Sequence, residues 1–402
     1  LEDFMQDLAL LFVLAVLPPA SAQVPAKSTP PIPVKGEAIS EMPGFQPDPK
    51  DSFRDLRESR LQNVKRLTNT GSNAEAYWSH DGKQIIFQST RDGYPCDQLF
   101  LMQADGSNPR MISTGQGRVT CGWFLPGDRR IIYASTHGEA PGCPEAPPFT
   151  PGTYRWAVFP GYDLYTADLD GKNLQSFLQS PGYDAEATTS PNGRWVVFTS
   201  ERSGDVDLWR ADIDGKNLIR LTDGVGYDGG AVFSPDSKRI AWRTNYPKDA
   251  AAAGKYKALL KQHLVEPMAM DIWVMEADGS GKRQVTRLPG AAFAPIFSPD
   301  GKAIVFASNH HDQDGKGRGF ELFKIALDGT GLERITWTGL FNSFPHFSPD
   351  GKKLLWVSGR APRGSRQFDV FVADWVDVVP SKVADADSEC CPPKGQGRVA
   401  SR

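Results

Sequence analysis

Residues 190–224 read SPNGRWVVFTSERSGDVDLWRADIDGKNLIRLTDG, and two turn signals cut them into strands. In S-P-N-G the proline presets φ and the glycine supplies the positive φ that reverses the chain. WVVFTS, which follows, is rich in β-branched and aromatic residues and reads as a strand. D-G, set between VDLWRA and the run ending in R-L-T, is a hairpin signal. The stretch therefore predicts an antiparallel meander of four strands. Strand a precedes S-P-N-G, strand b follows it, strand c is the acid-led aromatic run, and strand d ends in R-L-T.

The same punctuation recurs on both sides. Equivalent turns are SHDG at 79–82, LPGD at 125–128, SPDS at 234–237, and SPDG at 298–301 and 348–351. Each is followed by an apolar strand (QIIFQS, RIIYAS, RIAWRT, AIVFAS, KLLWVS) and later by an acid-led one (DQLFLM, YDLYTA, MDIWVM, FELFKI, FDVFVA). A lone meander cannot bury both faces, whereas a closed ring of them can. The prediction is an all-β, six-bladed β-propeller of four-stranded antiparallel blades. The last unit stops after strand c, while VKRLT at 64–68 is an R-L-T ending with no unit before it. This N-terminal strand is expected to complete the last blade, with Leu67 alongside Val370.

The rest of the chain is divided by composition. Residues 1–22 read as a signal peptide: LALLFVLAVL at 8–17 is apolar, Pro18 and Pro19 break it, and Ala20-Ser21-Ala22 offers a cleavage site. Residues 23–60 read as a Pro-rich linker followed by a short helix in DSFRDLRESRLQ, residues 61–376 as the propeller, and 377–402 as a disordered tail. A formal net charge of −3 provides no basic stripe, so nucleic acid is not an expected partner. The mature chain is expected to be a monomer without a membrane span, periplasmic or secreted.

FSPDGKAIVFASN at 297–309, FSPDGKKLLWVSGR at 347–360 and the stretch quoted first resemble the TolB-type six-bladed propeller family. The resemblance implies the same fold and an envelope protein or peptide as partner. The chain also resembles the propeller half of prolyl-oligopeptidase-like peptidases, yet no G-x-S-x-G nucleophile elbow occurs in it. The expectation is a non-enzymatic binding scaffold. The alternatives are an accessory propeller of a peptidase or hydrolase system, or a hydrolase using acids of the channel.

Long b–c insertions at 136–161, 244–270, 309–319 and 359–367 fall on one face, where binding is expected. The second holds a helix capped by Asp249, with Tyr256, Leu259, Leu260 and Leu264 as its apolar stripe. Strand a lies nearest the axis, so Asn73, Glu75, Arg118, Asp184, Glu186, Asp228 and Asn342 are the expected residues of the channel mouth. Their acids would attract a cation, a lysine side chain or an amine terminus.

His310, His311, Asp312 and Asp314 are weak candidates for a metal. D-Q-D-G-K resembles the start of a calcium loop, but Phe323 stands where the closing glutamate belongs, so no cofactor is expected. The acids that lead strand c (Asp97, Asp163, Asp207, Asp271, Glu321, Asp369) recur in every blade. They are read as structural hydrogen-bond partners tying b to c, since a catalytic group is needed once. Of five cysteines, Cys96 and Cys121 are the first choice for a disulfide and Cys121 with Cys143 the second. Cys390 and Cys391 lie in the tail.

Overall fold

The computed structural model describes residues 45–145, 155–311, 319–361 and 367–377. The expected signal peptide, most of the linker, nearly all of the tail, Asp312, Asp314, Cys390 and Cys391 lie outside these. Six four-stranded antiparallel sheets form the ring, and strands a to d of each blade follow the meander order. The a strands are Ser72–Trp78, Val119–Phe124, Asp184–Thr189, Tyr227–Phe233, Ala292–Phe297 and Asn342–Phe347. The b strands supply much of the core: Ile85, Phe87, Val196, Phe198, Trp242, Phe306 and Trp356 are fully buried.

The S-P-D-G turns are fixed by their serine. Ser234 Oγ donates to Asp236 Oδ1 at 2.6 Å and accepts from the Arg239 backbone N–H at 2.9 Å. Ser298 and Ser348 repeat the pattern with Asp300 and Asp350. Repetition of the motif is thus repetition of one local hydrogen-bond solution.

The ring closes as expected. Strand Leu61–Arg66 pairs antiparallel with Asp369–Trp375, Phe371 opposite Arg66 and Trp375 opposite Leu61. The Leu67 N–H donates to the Val370 carbonyl at 2.8 Å. The same blade explains the R-L-T phrase. Arg66 Nη2 and Thr68 Oγ1 both donate to the Asp369 carboxylate, at 2.6 and 2.9 Å. Arg220 and Thr222 do so to Asp207, and Arg334 and Thr336 to Glu321. The strand c acids were expected to tie b to c. In these three blades they hold strand d, because the alternate residues of R-L-T share one face of that strand.

The expected helix before the ring is absent. Pro47–Asp48 pairs with Asp51–Asp55 as a hairpin, and a turn leads into Leu61. Tertiary contacts override local propensity there. Glu58 is fully buried, accepts the Asp55 and Trp337 N–H groups at 3.1 Å each, and is ion-paired with the equally buried Arg360 at 3.0 Å. Phe53 packs edge-on against Phe371, centroids 5.6 Å apart. The helix expected in the fourth blade's insertion is present as Ala250–Leu260, with Asp249 capping the Ala252 N–H at 2.8 Å and Tyr256, Leu259 and Leu260 buried; Leu264, expected on the same stripe, lies past its end in the strand Leu264–Val265.

Candidate functional site

One register position of strand a builds the channel wall. Glu75, Cys121, Glu186, Gly230, Ala294 and Phe344 each stand four residues before the first residue of their turn (Ser79, Leu125, Ser190, Ser234, Ser298, Ser348). All six have positive φ, between 48 and 59°. All six fall where the a–b register shifts. A β-bulge in every blade therefore turns this residue out of the pleat, and all six line a common space. Two residues further on, Tyr77, Trp123, Thr188, Val232, Ile296 and His346 form the next layer toward the S-P-D-G face.

Of the seven residues expected at the mouth, Glu75 and Glu186 are at this wall. The other five precede the bulge and are buried elsewhere. Asn73 binds Asp369 (3.3 Å) and Ser89 (3.0 Å), and Asn342 binds Glu321 (2.9 Å) and Ser358 (2.7 Å). Each ties its blade to the one before. Asp184 is ion-paired with Arg202 at 2.9 Å and Arg118 with Asp97 at 2.7 Å. Asp228 accepts from Trp242 Nε1 at 2.7 Å and the Tyr246 hydroxyl at 2.9 Å. Sequence reasoning missed Tyr77, Cys121, Trp123, Arg243 and His346, which no motif marks.

At the wall, Glu186 is ion-paired with Arg243 and accepts from Thr199 Oγ1 and the Gly230 N–H, both at 2.8 Å. Arg243 Nη2 also donates to the Tyr227 hydroxyl at 2.7 Å. The glycines of GYDGGA make room for this network. A Cβ on Gly230 would stand 1.9 Å from Arg243 Nη1, and one on Gly229 2.6 Å from Glu186 Oε2. Glu75 is hydrogen-bonded by the Tyr77 hydroxyl. Burial pushes its carboxyl up to about 7; Glu186 adds to the rise, while Tyr77 and Arg243 oppose it. Burial likewise drives the Cys121 thiol well above its ordinary range, with Glu75 and Glu186 adding to it. That thiol is held as a neutral donor rather than a nucleophile.

The space around these groups is a pit of about 40 Å³. Trp123, Val232 and Ile296 also line a chamber of about 440 Å³ at the S-P-D-G face, walled by Trp78, Phe233, Phe297, Phe347 and the turn prolines Pro191, Pro235, Pro299 and Pro349. Trp78 is buried, and its indole N–H has no acceptor among the described residues.

The opposite end, expected to be the open one, is covered by the described parts of two insertions. Trp156–Ala157 pairs with Leu264–Val265 as a two-stranded clip. Trp156 lies edge-on to Tyr227 (6.1 Å) and Phe293 (6.3 Å), with the Arg243 guanidinium over its ring at 5.2 Å. Glu266 pairs with Arg155 and Lys255, and accepts the Asn245 side-chain amide at its carbonyl at 2.9 Å. Long loops here cap the channel, because their apolar residues find cover over its aromatic end.

The disulfide is Cys96–Cys143, Cα atoms 6.0 Å apart, and Cys121 is free and buried. Both expected pairings used Cys121, but the bulge commits that residue to the channel. The two loop cysteines of neighbouring blades meet instead. The Cys96→Ser/Cys143→Ser variant is expected to lose roughly 2–4 kcal/mol, read as a lower denaturation midpoint. His310 packs against Phe323 with the rings tilted (centroids 4.2 Å apart) and contacts Ser308 Oγ (3.1 Å), and burial depresses its pKa to about 4. Among the described residues no cluster of His, Cys, Asp or Glu could hold a metal.

Residues 257–378 match the TolB beta propeller domain family. Solved structures similar to the chain include TolB from Acinetobacter baumannii, at TM-score 0.53 and 17% identity over 70% of this chain and 59% of that one. Putative TolB from Agrobacterium tumefaciens aligns at 0.51 and 19%, over 78% and 97%. XC5397 from Xanthomonas campestris, described as a gluconolactonase, aligns at 0.51 and 12%, over 79% and 91%. The chain spans less than two thirds of the Acinetobacter TolB. At such identities the likeness is one of fold. The matched segment takes in the last four residues of the insertion helix, strands c and d of the fourth blade and the last two blades apart from the N-terminal strand, and so includes two of the phrases that carry the TolB resemblance in the sequence.

Proposed function

We propose that this chain is an exported, non-enzymatic binding scaffold. It receives a protruding stretch of an envelope protein or peptide in the chamber at the S-P-D-G end of its channel. The observation that carries the reading is the asymmetry of the channel. One end is covered by the Trp156 clip, and the other widens to about 440 Å³ between aromatic rings and proline faces. A rigid, largely apolar concavity with few polar groups is the usual form of a ligand site. The disulfide fits an oxidising compartment, and the TolB likeness of the last blades supports an envelope role.

A photoreactive residue in place of Pro299, on the chamber rim, is expected to cross-link a discrete partner in envelope fractions. One in place of Lys261, beside the capping helix, is expected to cross-link none. The reverse pattern would move the site to the loop face and overturn the reading. A second reading, hydrolysis, is favoured by one observation: Glu75, its carboxyl pushed by burial up to about 7, lines the channel, and a carboxyl held near neutrality can serve as a general acid or base. Turnover of any ester, lactone or glycoside that disappears in Glu75→Gln would establish it.

A further inference from the structure

We infer that the pit beneath the chamber receives a primary ammonium group, with Glu75 as its counter-ion. The inference rests on the chamber reading and specifies what the occupant inserts at its tip.

Charge comes first. The Glu75 carboxylate meets neutral donors, the Tyr77 hydroxyl and the Cys121 thiol. The cation nearby, Arg243, is held by Glu186 and Tyr227 and lies under Trp156 at the capped end. Glu75 is thus a buried carboxyl without an ion-pair partner among the described residues. A buried carboxylate of this kind is costly unless a cation joins it.

Size comes second. A water needs roughly 10–15 Å³ of such space, so a pit of about 40 Å³ admits about three. An ammonium head with its leading methylene fits; a trimethylammonium group does not. Access comes third. The rings of Tyr77, Trp123 and His346 contact one another at 4.7, 5.0 and 5.4 Å where pit and chamber meet. Aromatic faces attract a passing cation. His346 accepts the Trp78 backbone N–H at its Nδ1 (3.0 Å), and burial holds its pKa far below neutral, so it adds no repelling charge.

The groups facing Glu75 are Tyr77, Cys121, Glu186, Arg243 and, across the rings, His346. Of these, Tyr77, Cys121 and Arg243 have pKa values raised well above their ordinary ones and His346 has one far below, so none of the four titrates near neutrality. A cation favours the charged carboxylate, and ammonium affinity should fall as pH drops through about 7.

The test uses the full chain and 2-phenylethylammonium, whose ring suits the chamber and whose two methylenes reach the pit. The neutral match is 2-phenylethanol and the bulky one is the N,N,N-trimethyl derivative. Ligand-observed NMR is expected to show the primary ammonium bound at least tenfold more tightly than the other two. Glu75→Gln should remove that preference and keep alcohol binding. Cys121→Met, which fills the pit without altering charge, should do the same. Equal affinity for ammonium and alcohol in the wild type overturns the ammonium site and leaves the chamber reading standing. Tighter binding of the trimethyl compound also overturns it. Binding of none of the three by the folded chain removes both.

Discussion

Deleting residues 60–68 is expected to abolish the cooperative thermal transition of the propeller. The segment supplies the outer strand of the last blade, four registered residue pairs with Asp369–Trp375, and the buried side chains of Leu61 and Val64. Each such side chain is worth about 1.5–3 kcal/mol, and each lost backbone hydrogen bond about 1 kcal/mol. Arg66 and Thr68 leave as well, so the buried Asp369 loses its ion pair with Arg66 and the Thr68 hydroxyl, while the Asn73 side-chain amide still donates to it. The Arg60–Glu333 pair to the preceding blade also goes. The sum reaches the whole stability of a typical domain, about 5–15 kcal/mol. A ring is special in this respect, because opening one joint exposes both faces that met there. Calorimetry should show a broad, low-temperature transition, and size exclusion should show association through the freed strand edge. A melting temperature equal to that of the full chain would mean that the strand is an ornament and that the ring is held elsewhere.

The strands and their closure were legible because they rest on local rules. S-P-D-G and D-G dictate turns whatever surrounds them, and the orphan VKRLT could belong only to a blade lacking its fourth strand. The disposition of strand a was not legible. Asn73 and Glu75 are two residues apart and would share a face in a regular strand. The bulge at Glu75 separates them, sending Asn73 to Asp369 and Glu75 to the channel. Nothing in Glu, Cys, Glu, Gly, Ala and Phe announces a common left-handed position, since only one of the six is glycine. The ring is visible once the blades are aligned on their turns, and its meaning follows from φ. Cys121 was misassigned for the same reason: a bulged residue of a central strand cannot reach a loop. Likewise, loop length marked 136–161 and 244–270 as special without saying whether they frame an opening or fill it. That depends on Trp156 finding Tyr227 and Phe293.

Arg243→Met is the substitution expected to do most harm without touching the chain's ends. Burial alone would pull the Arg243 guanidinium down; Glu186 and Tyr227 outweigh it and hold the pKa well above the ordinary value. Methionine keeps much of the volume and removes the charge. Glu186 would then stand buried with the Thr199 hydroxyl, the Gly230 N–H and Tyr227, but without a cation. Breaking such a pair from one side costs about 3–5 kcal/mol, and the guanidinium over Trp156 goes with it. Removing both partners, as Glu186→Gln with Arg243→Met, should cost clearly less than the two single changes added together, because neither leaves the other stranded. A urea-denaturation cycle on the four proteins measures this directly. A coupling of about 2 kcal/mol or more is expected. Additive losses would show that the pair contributes nothing as a pair, and that the capped end of the channel is held by packing of Trp156 alone.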